Sequence, residues 1–453
     1  MGSDGADLER LATEVVERAR KAGADVAEAR TNAGWELTVR VRLGQPELVQ
    51  EAGHRSLALR VMKEQRVALT STSDLTPAGI AHAISDAMEL VELSEVDPFA
   101  GPAPADQLAS PPHPDLDLYD PAVEGVDADR ALELATRAER AALGHDPRLT
   151  LSEGATFSRV TGTSALALSS GFTGVTRGSY ASLVVSPVVV DAGDKRRRGH
   201  YWTARRHLAR LEEPEAVGIE AAKRTLRQLG PRKVPTCEAP VVFAQDTARS
   251  IIGTFAGCIV GGAIWRKSSY LVEREGTAVA SPIVTLVDDP LRLRGPGSRA
   301  FDGEGLRSRR NVVVERGTLE TFLLDSYSGR KLGRASTASA ARSGASVSAS
   351  TTNFVLEPGT TTHDALVAST DRGLYVTDMM GFGFNPVTGD FSRGAQGFWI
   401  ERGELAFPVS EITVSANLDA MLRGIDLVAD DLDDKTSIAS PTFRVASMII
   451  GGT

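Results

Sequence analysis

The sequence predicts an α+β protein of two domains. The N-terminal domain, residues 1–233, reads as repeated helix–antiparallel meander–helix units. The C-terminal domain, residues 234–453, reads as mainly antiparallel β with a few helices. Three observations carry this. A chain of 453 residues exceeds one ordinary domain. In its first half, windows with apolar residues at helical spacing are separated by runs in which apolar and polar residues alternate. In its second half, strand-like runs are broken by Glu-Arg-Gly turns at 315–317 and 401–403.

Taken in order, Leu8, Leu11, Ala12, Val15, Val16 and Ala19 share one face of a helix over 6–22, which Gly23 stops. Short alternating runs follow at 25–31, 36–43, 47–52, 56–63 and 66–73, as in a meander. Thr76 caps a second helix, whose expected buried face is Ile80, Ala83, Ile84, Ala87 and Leu90. Pro98, Pro102, Pro104, Pro111, Pro112 and Pro114 make 97–114 a linker or an irregular wrapping segment. The order then recurs: a helix over 127–143, runs at 149–159, 161–169 and 174–190, and a helix over 214–229. The repetition is of pattern, not of sequence. Residues 240–244 then read as a strand, and Asp246 as the cap of a small-residue helix reaching 263. Strands are expected at 279–287, 311–316, 319–324, 352–357, 373–377 and in the tail 440–452, with a helix over 361–370.

Composition excludes several function classes. A net charge of -9 argues against a dedicated nucleic-acid binder, which needs basic surface to neutralise phosphate. Two cysteines, Cys237 and Cys258, cannot build a disulfide framework and point to a reducing compartment. The N-terminus is charged and amphipathic, without the apolar core of a secretory signal. No run of about 18 uncharged apolar residues appears, so no membrane span is expected. A cytoplasmic location is the expectation.

The segment Gly381–Gly403 holds six glycines, with Phe382, Phe384, Phe391, Phe398 and Trp399 between them. Such glycine density marks tight turns or the close approach of another backbone. A glycine-rich meander without chemistry fits it as well as a site does. The run Asn385-Pro386-Val387-Thr388-Gly389-Asp390-Phe391-Ser392, followed by Gly394, Gly397, Trp399 and Ile400, resembles the C-terminal signature of the TldD/PmbA family, and within it the PmbA (TldE) branch. Phe407-Pro408-Val409-Ser410-Glu411-Ile412-Thr413 and Asn417-Leu418 continue the match, and Val287-Asp288-Asp289-Pro290, Phe301-Asp302 and Asp325-Ser326-Tyr327 extend it upstream. One departure is Thr337-Ala338-Ser339, where related chains tend to have Thr-Gly-Asn.

The resemblance implies a heterodimer in which a TldD-like metallopeptidase subunit supplies zinc through a His-Glu-x-x-x-His helix. Counting back from Arg266-Lys267, the corresponding positions here are Gly253, Thr254 and Cys258, and no His-Glu pair occurs anywhere in the chain. Zinc hydrolysis needs clustered ligands and a base. The expectation is therefore a non-catalytic subunit with no catalytic residue, no metal and no cofactor of its own. It would help to process small or unfolded peptides, such as precursors of modified antibiotics, with Asn385, Thr388, Asp390, Phe391, Ser392 and Trp399 facing substrate or partner. Phe391 and Trp399 are the expected apolar anchors. A homodimer stays open when the partner is absent.

Other constellations carry less. Lys195, Arg196, Arg197, Arg198, Arg205, Arg206 and Arg210 alternate with Tyr201 and Trp202, a pattern for phosphate and base stacking, or for a solvated strand edge. Cys258, among Phe255, Ala256, Ile259 and Val260, reads as an inert buried thiol. Gly295-Pro296-Gly297 lacks the strand–turn–helix context of a dinucleotide fingerprint and reads as a loop. Asp288, Asp289, Asp302 and Glu304 read as turn-capping or solvated acids, with acid–base or metal chemistry as the rival. Two further functions stay open: a stand-alone natural-product enzyme with an unrecognised site, and a binding module using 195–210.

Overall fold

The computed structural model describes residues 5–452. Residues 1–4 and 453, the outer limits of the two expected domains, lie outside the described residues. The first half contains α1 (Gly5–Lys21), β1 (Val26–Arg42), β2 (Gln45–Lys63), β3 (Arg66–Thr72), α2 (Pro77–Leu93), a one-turn α3 (Pro121–Glu124), α4 (Ala128–Leu143), β4 (Leu151–Leu168), β5 (Thr173–Val190), β6 (Arg196–Arg198), β7 (Tyr201–Arg205) and α5 (Pro214–Leu226). All its strands belong to one antiparallel sheet, in the order β3-β2-β1-β4-β5-β6, with β7 also paired to β5.

The expected pairs of short runs are therefore single long strands: 25–31 with 36–43 in β1, 47–52 with 56–63 in β2, and 149–159 with 161–169 in β4. The apparent breaks in β1 and β2 fall at Gly34 and Gly53, which the ladder carries through, with Gly34 opposite both His54 and Gly162, and the break in β4 is Val160, paired with Glu36 and Tyr180. A Cβ at Gly34 would stand 2.7 Å from the His54 ring, so close strand packing, not a turn, requires the glycine. The repeated unit survives as two helix pairs on one sheet. α1 and α2 cover Ala27, Ala29, Leu57, Leu59 and Val61, while α4 and α5 cover Leu37, Val39, Val41, Phe157 and Leu183. On α2 the buried residue is Val91, and Leu90 is exposed. Thr76 does cap that helix, accepting from the Gly79 N–H.

The second half contains β8 (Cys237–Phe243), α6 (Gln245–Cys258), α7 (Gly261–Trp265), β9 (Leu286–Asp288), β10 (Asn311–Glu315), β11 (Thr318–Leu319), α8 (Ser326–Leu332), β12 (Ala340–Ser343), β13 (Ser346–Ala349), β14 (Phe354–Leu356), α9 (His363–Ala368), β15 (Arg372–Met380), β16 (Asp390–Glu401), β17 (Glu404–Asn417), α10 (Leu418–Arg423), β18 (Ile425–Val428), β19 (Ile438–Ala439) and β20 (Phe443–Gly451). One sheet runs β17-β16-β15-β8-β20-β18, and β17 pairs with β20 as well, so five strands close on themselves. The β15–β8 pair is parallel and the rest of that sheet antiparallel. A second sheet runs β11-β10-β9-β14-β19, and β12 pairs with β13. The expected strands at 279–287 and 319–324 shrink to β9 and β11, because most of their residues pair with irregular chain.

α6 starts one residue before Asp246, whose carboxylate pairs with Arg249 at 3.2 Å instead of capping. The helix breaks at Ile259 and restarts as α7, where a Cβ on Gly261 would meet the Ser328 hydroxyl at 2.1 Å. The Pro-rich segment wraps onto the second half. The Arg330 guanidinium donates to the carbonyls of Phe99, Gly101 and Pro102, Tyr327 donates to the Asp97 carboxylate, and Ala109 N–H donates to Gly305. Among the described residues no helix is long and apolar enough to cross a membrane.

Candidate functional site

The 381–389 connection between β15 and β16 folds back on itself. Ser392 N–H donates to the Gly383 carbonyl, and a Cβ on Gly383 would stand 1.7 Å from the Ser392 carbonyl oxygen. Asn385 accepts from Val387 N–H, and Thr388 donates to the Asp390 carboxylate at 2.6 Å. Asn417 donates to the Thr388 carbonyl, and the Ser392 and Ser415 hydroxyls are 2.8 Å apart. Asn385, Thr388, Asp390 and Ser392 are exposed, and their side chains hold the turn.

Phe391 and Trp399 do not stand on that surface. They are 2% and 4% exposed and belong to the core inside the closed strands. Their positions follow from the period of β16, which points them inward. The exposed apolar side chains are Phe382, at 101%, with Met380 and Val387 at 53% and 55%. A phenylalanine in a glycine-rich run signals core or surface equally, so sequence did not single it out.

On α6, Gly253 and Thr254 are part-exposed, Gly257 is exposed, and Cys258 is buried. Thr254 donates back to the Ser250 carbonyl, and the Cys258 thiol donates to the Thr254 carbonyl at 3.5 Å. Burial pushes the Cys258 thiol up to about 11, which keeps it protonated and unreactive at neutral pH. These three residues do not fit a zinc ion: one has no side chain, one is a neutral hydroxyl, and the thiol is turned into the core. Among the described residues no group of three His, Cys, Asp or Glu side chains is arranged to hold a metal.

Beside the first turns of α6 lies a cleft of 480 Å³, bounded by α5 and β15 and lined by Arg224, Arg227, Asp246, Arg249, His363 and Asp378. His363 Nε2 is 2.9 Å from the Tyr375 hydroxyl. β15 pairs with β8 only through Leu374–Val376, so Thr377–Met380 keeps one edge without a strand on the way to Phe382. Sequence reasoning missed this cleft, because its walls come from nine separate stretches of chain.

The basic segment is largely consumed by structure. Arg197 pairs with Asp191 at 2.9 Å, Arg198 with Glu153 at 3.0 Å and Arg205 with Asp433 at 3.5 Å. Arg206 donates to the carbonyls of Gly295 and Pro296, which makes 295–300 a docking loop. Trp202 lies 4.5 Å below the Lys435 ammonium, and Tyr201 donates to Glu212. The acids differ from expectation. Asp289 caps its turn, but Asp288, Asp302 and Glu304 are 1%, 2% and 3% exposed. Burial pushes Asp288 up to about 6 against the pull of the Thr352 N–H. Burial also raises Asp302 and Glu304, and Asp302 adds repulsion at Glu304. Asp302 does cap its own turn, accepting from the Glu304 and Leu306 N–H groups, and it also accepts from the remote Ala340 N–H, while Glu304 accepts from the remote Ser326 N–H. Ala338, the departure from Thr-Gly-Asn, sits at φ 57°, a conformation that favours glycine.

Comparison with known proteins gives the family. Models of the PmbA/TldA metallopeptidase domain 1, central domain and C-terminal domain match residues 27–91, 121–229 and 236–452. Metalloprotease PmbA of Escherichia coli O157:H7 is 36% identical over 433 residues, covering 95% of this chain and 92% of that one. A PmbA homolog of Haemophilus influenzae is 37% identical over 447 residues, covering 98% and 96%. The crystal structure of a proposed modulator of DNA gyrase from Bacteroides thetaiotaomicron superposes with a TM-score of 0.93 at 25% identity over the whole of both chains. With three family domains in order and near full-length identity above one third, the chain belongs to the PmbA/TldD metallopeptidase family, in its PmbA (TldE) branch.

Proposed function

We propose that this chain is the non-catalytic subunit of a heterodimeric zinc metallopeptidase, whose TldD-like partner carries the zinc and the water-activating base. The observation that carries the reading is α6, which has Gly253, Thr254 and Cys258 where the partner type needs His, Glu and His. The chain contributes peptide binding and closes the chamber. An extended peptide adds along the free edge of Thr377–Met380 above the charged cleft, where main-chain hydrogen bonds bind it without reading its sequence. The 380–392 loop faces the partner, with Phe382 as anchor and Asn385, Thr388, Asp390 and Ser392 as the polar rim. Phe391 and Trp399 act from the core by fixing that loop. We place the domain boundary at 233/234, after α5 and before β8. The substrates are small or unfolded peptides, natural-product precursors among them, in the cytoplasm.

The test co-expresses the chain with the TldD-like subunit of the same genome. Each subunit and the complex are assayed on an unfolded peptide, with zinc counted by elemental analysis. The expected result is no turnover and no stoichiometric zinc for this chain alone, and turnover by the complex above that of the partner alone. Turnover by this chain alone, abolished by a substitution within it, overturns the reading. So does about one tightly held zinc per chain.

A further inference from the structure

The two borders of the first-half sheet are finished differently. At one, the edge of β5 is covered by β6 and β7. At the other, β3 pairs with β2 only from Leu57 to Lys63. Residues 45–56 of β2 therefore have β1 on one side and, among the described residues, no strand on the other. Residues 45–55 are also exposed on both faces. At roughly 3.4 Å per residue this is an open edge of about 37 Å. Natural edges are blunted by shortness, by lysine or proline, by a bulge or by a covering loop. Here the pairing with β1 is regular from Leu48 to Ser56, no lysine occurs, and the one proline, Pro46, lies beside the turn. Among the described residues no loop backbone bonds to 45–55.

Such an edge can pair antiparallel with a second copy of itself about a two-fold axis normal to the sheet, so that positions on the same face meet. The free length fixes where the axis falls. The edge is bounded by the turn at Leu43 and Gly44 and by Thr72 of β3, which stands opposite Leu57. An axis beyond Gln50 drives the second copy into β3, and an axis at Gln50 lets all of 45–55 pair. Charge selects the same register. With the axis at Val49, Glu47 stands opposite Glu51 of the second copy; with it at Glu51, that carboxylate meets itself. With it at Gln50, Glu47 meets Gly53, Leu48 meets Ala52 and Val49 meets Glu51, so no like charges are directly opposed. Leu48 and Val49, 36% and 54% exposed, gain apolar cover. Arg55 is exposed and has no ion pair or hydrogen bond within the chain among the described residues. In this register it lies diagonal to Glu47 of the second copy, within reach of a long side chain. Glu51 keeps Arg159 at 2.9 Å and Glu47 keeps Arg42 at 3.3 Å, which neutralises the carboxylates nearest the axis.

We propose that the free edge of β2 is a self-association surface, where two copies of this chain join antiparallel about Gln50 into one continuous sheet. Strand pairing alone is a small contact, so the dimer belongs to the weak, reversible class. The surface involves neither α6 nor the 380–392 loop, so it stands or falls independently of the peptidase reading.

Sedimentation velocity of the full chain over a range of concentrations tests it. The parent shows a reversible monomer–dimer equilibrium. Gln50→Lys sets two ammonium groups against each other at the axis and weakens association by about fivefold or more. Gln50→Glu does the same with two carboxylates. An equal mixture of the two variants restores association, because unlike charges then meet, and this rescue requires both proteins to be folded. Gln50 is exposed, so each variant melts as the parent does. Ser71→Lys, at an exposed position of β3, self-associates like the parent. A parent that stays monomeric at every concentration overturns the proposal. So does a parent dimer that both Gln50 variants leave unchanged, or that their mixture fails to restore. Association that requires the TldD-like subunit and is weakened by Gln50→Lys assigns the edge to that subunit and also overturns the pairing of like chains.

Discussion

Phe382→Ala separates a partner-facing loop from a structural one. The ring is 101% exposed, so the isolated chain loses no packing when it is removed. The loop's own hydrogen bonds, such as Phe384 N–H to the Phe382 carbonyl, are main-chain and persist in alanine. Stability should therefore stay within about 0.5 kcal/mol of the parent, as for a surface change. Docking alters the arithmetic. Burying a phenylalanine removes roughly 150–200 Å² from water. At about 25 cal/mol per Å² that is a ceiling of about 4–5 kcal/mol. The retained Cβ and the rotamer freedom lost on docking reduce it by about 1–2 kcal/mol. The expected loss is about 2–4 kcal/mol, or roughly 30- to 900-fold in Kd. Titration of the TldD-like subunit with parent and variant, beside thermal melts of both, reads it. Leu93→Ala, 82% exposed on the last turn of α2, is the control and should leave Kd unchanged. A Phe382→Ala change under threefold with a normal melt refutes the placement. A large drop in melting temperature refutes the claim that this ring is free.

Two further outcomes follow from burial and charge. Trp399→Ala should destabilise by about 3–5 kcal/mol, as for a core aromatic, whereas Asp390→Ala removes the exposed turn hydrogen bonds from Thr388 and, at 3.4 Å, Asn417, and about 1 kcal/mol; urea melts of both decide it, and equal effects would contradict the packing of β16. Asp288 has a carboxyl pushed from 3.8 to about 6, so the stability linked to its protonated form is present below pH 4 and lost as pH rises through 6. The Asp288→Asn protein should therefore gain on the parent by about 2–3 kcal/mol between pH 4 and 7, and parallel stability curves over that window would show that the carboxyl is not strained by burial.

The helices of the first half were legible because one face had to meet a sheet, and Leu8, Val15 and Val16 obey the helical period. The strands were legible in kind but not in length. Residues 45–55 of β2 are exposed on both faces, so the short alternating run at 47–52 gives neither the strand's length nor a buried side, and glycines such as Gly34 imitate turns while serving close ladder packing. The family signature was legible as a string, but the direction each side chain takes was not. Phe391 and Trp399 go inward with the strand period, and Phe382 goes outward because it precedes the ladder. The burial of Asp302 and Glu304 was invisible for a different reason. Beside the local turn that Asp302 caps, Ala340 N–H reaches Asp302 and Ser326 N–H reaches Glu304 from segments 38 and 22 residues away.

The strap formed by residues 97–110 limits how this molecule can move. Hinge bending between the two halves would pull Phe99, Gly101 and Pro102 off the Arg330 guanidinium, three charge-assisted bonds at once. The same motion would peel Ala109 from Gly305. Such a fastening raises the barrier to opening without touching any site residue. In the proposed heterodimer, a chamber assembled on this chain would therefore admit its peptide by separation or rocking of the partner, with this subunit as the fixed jaw.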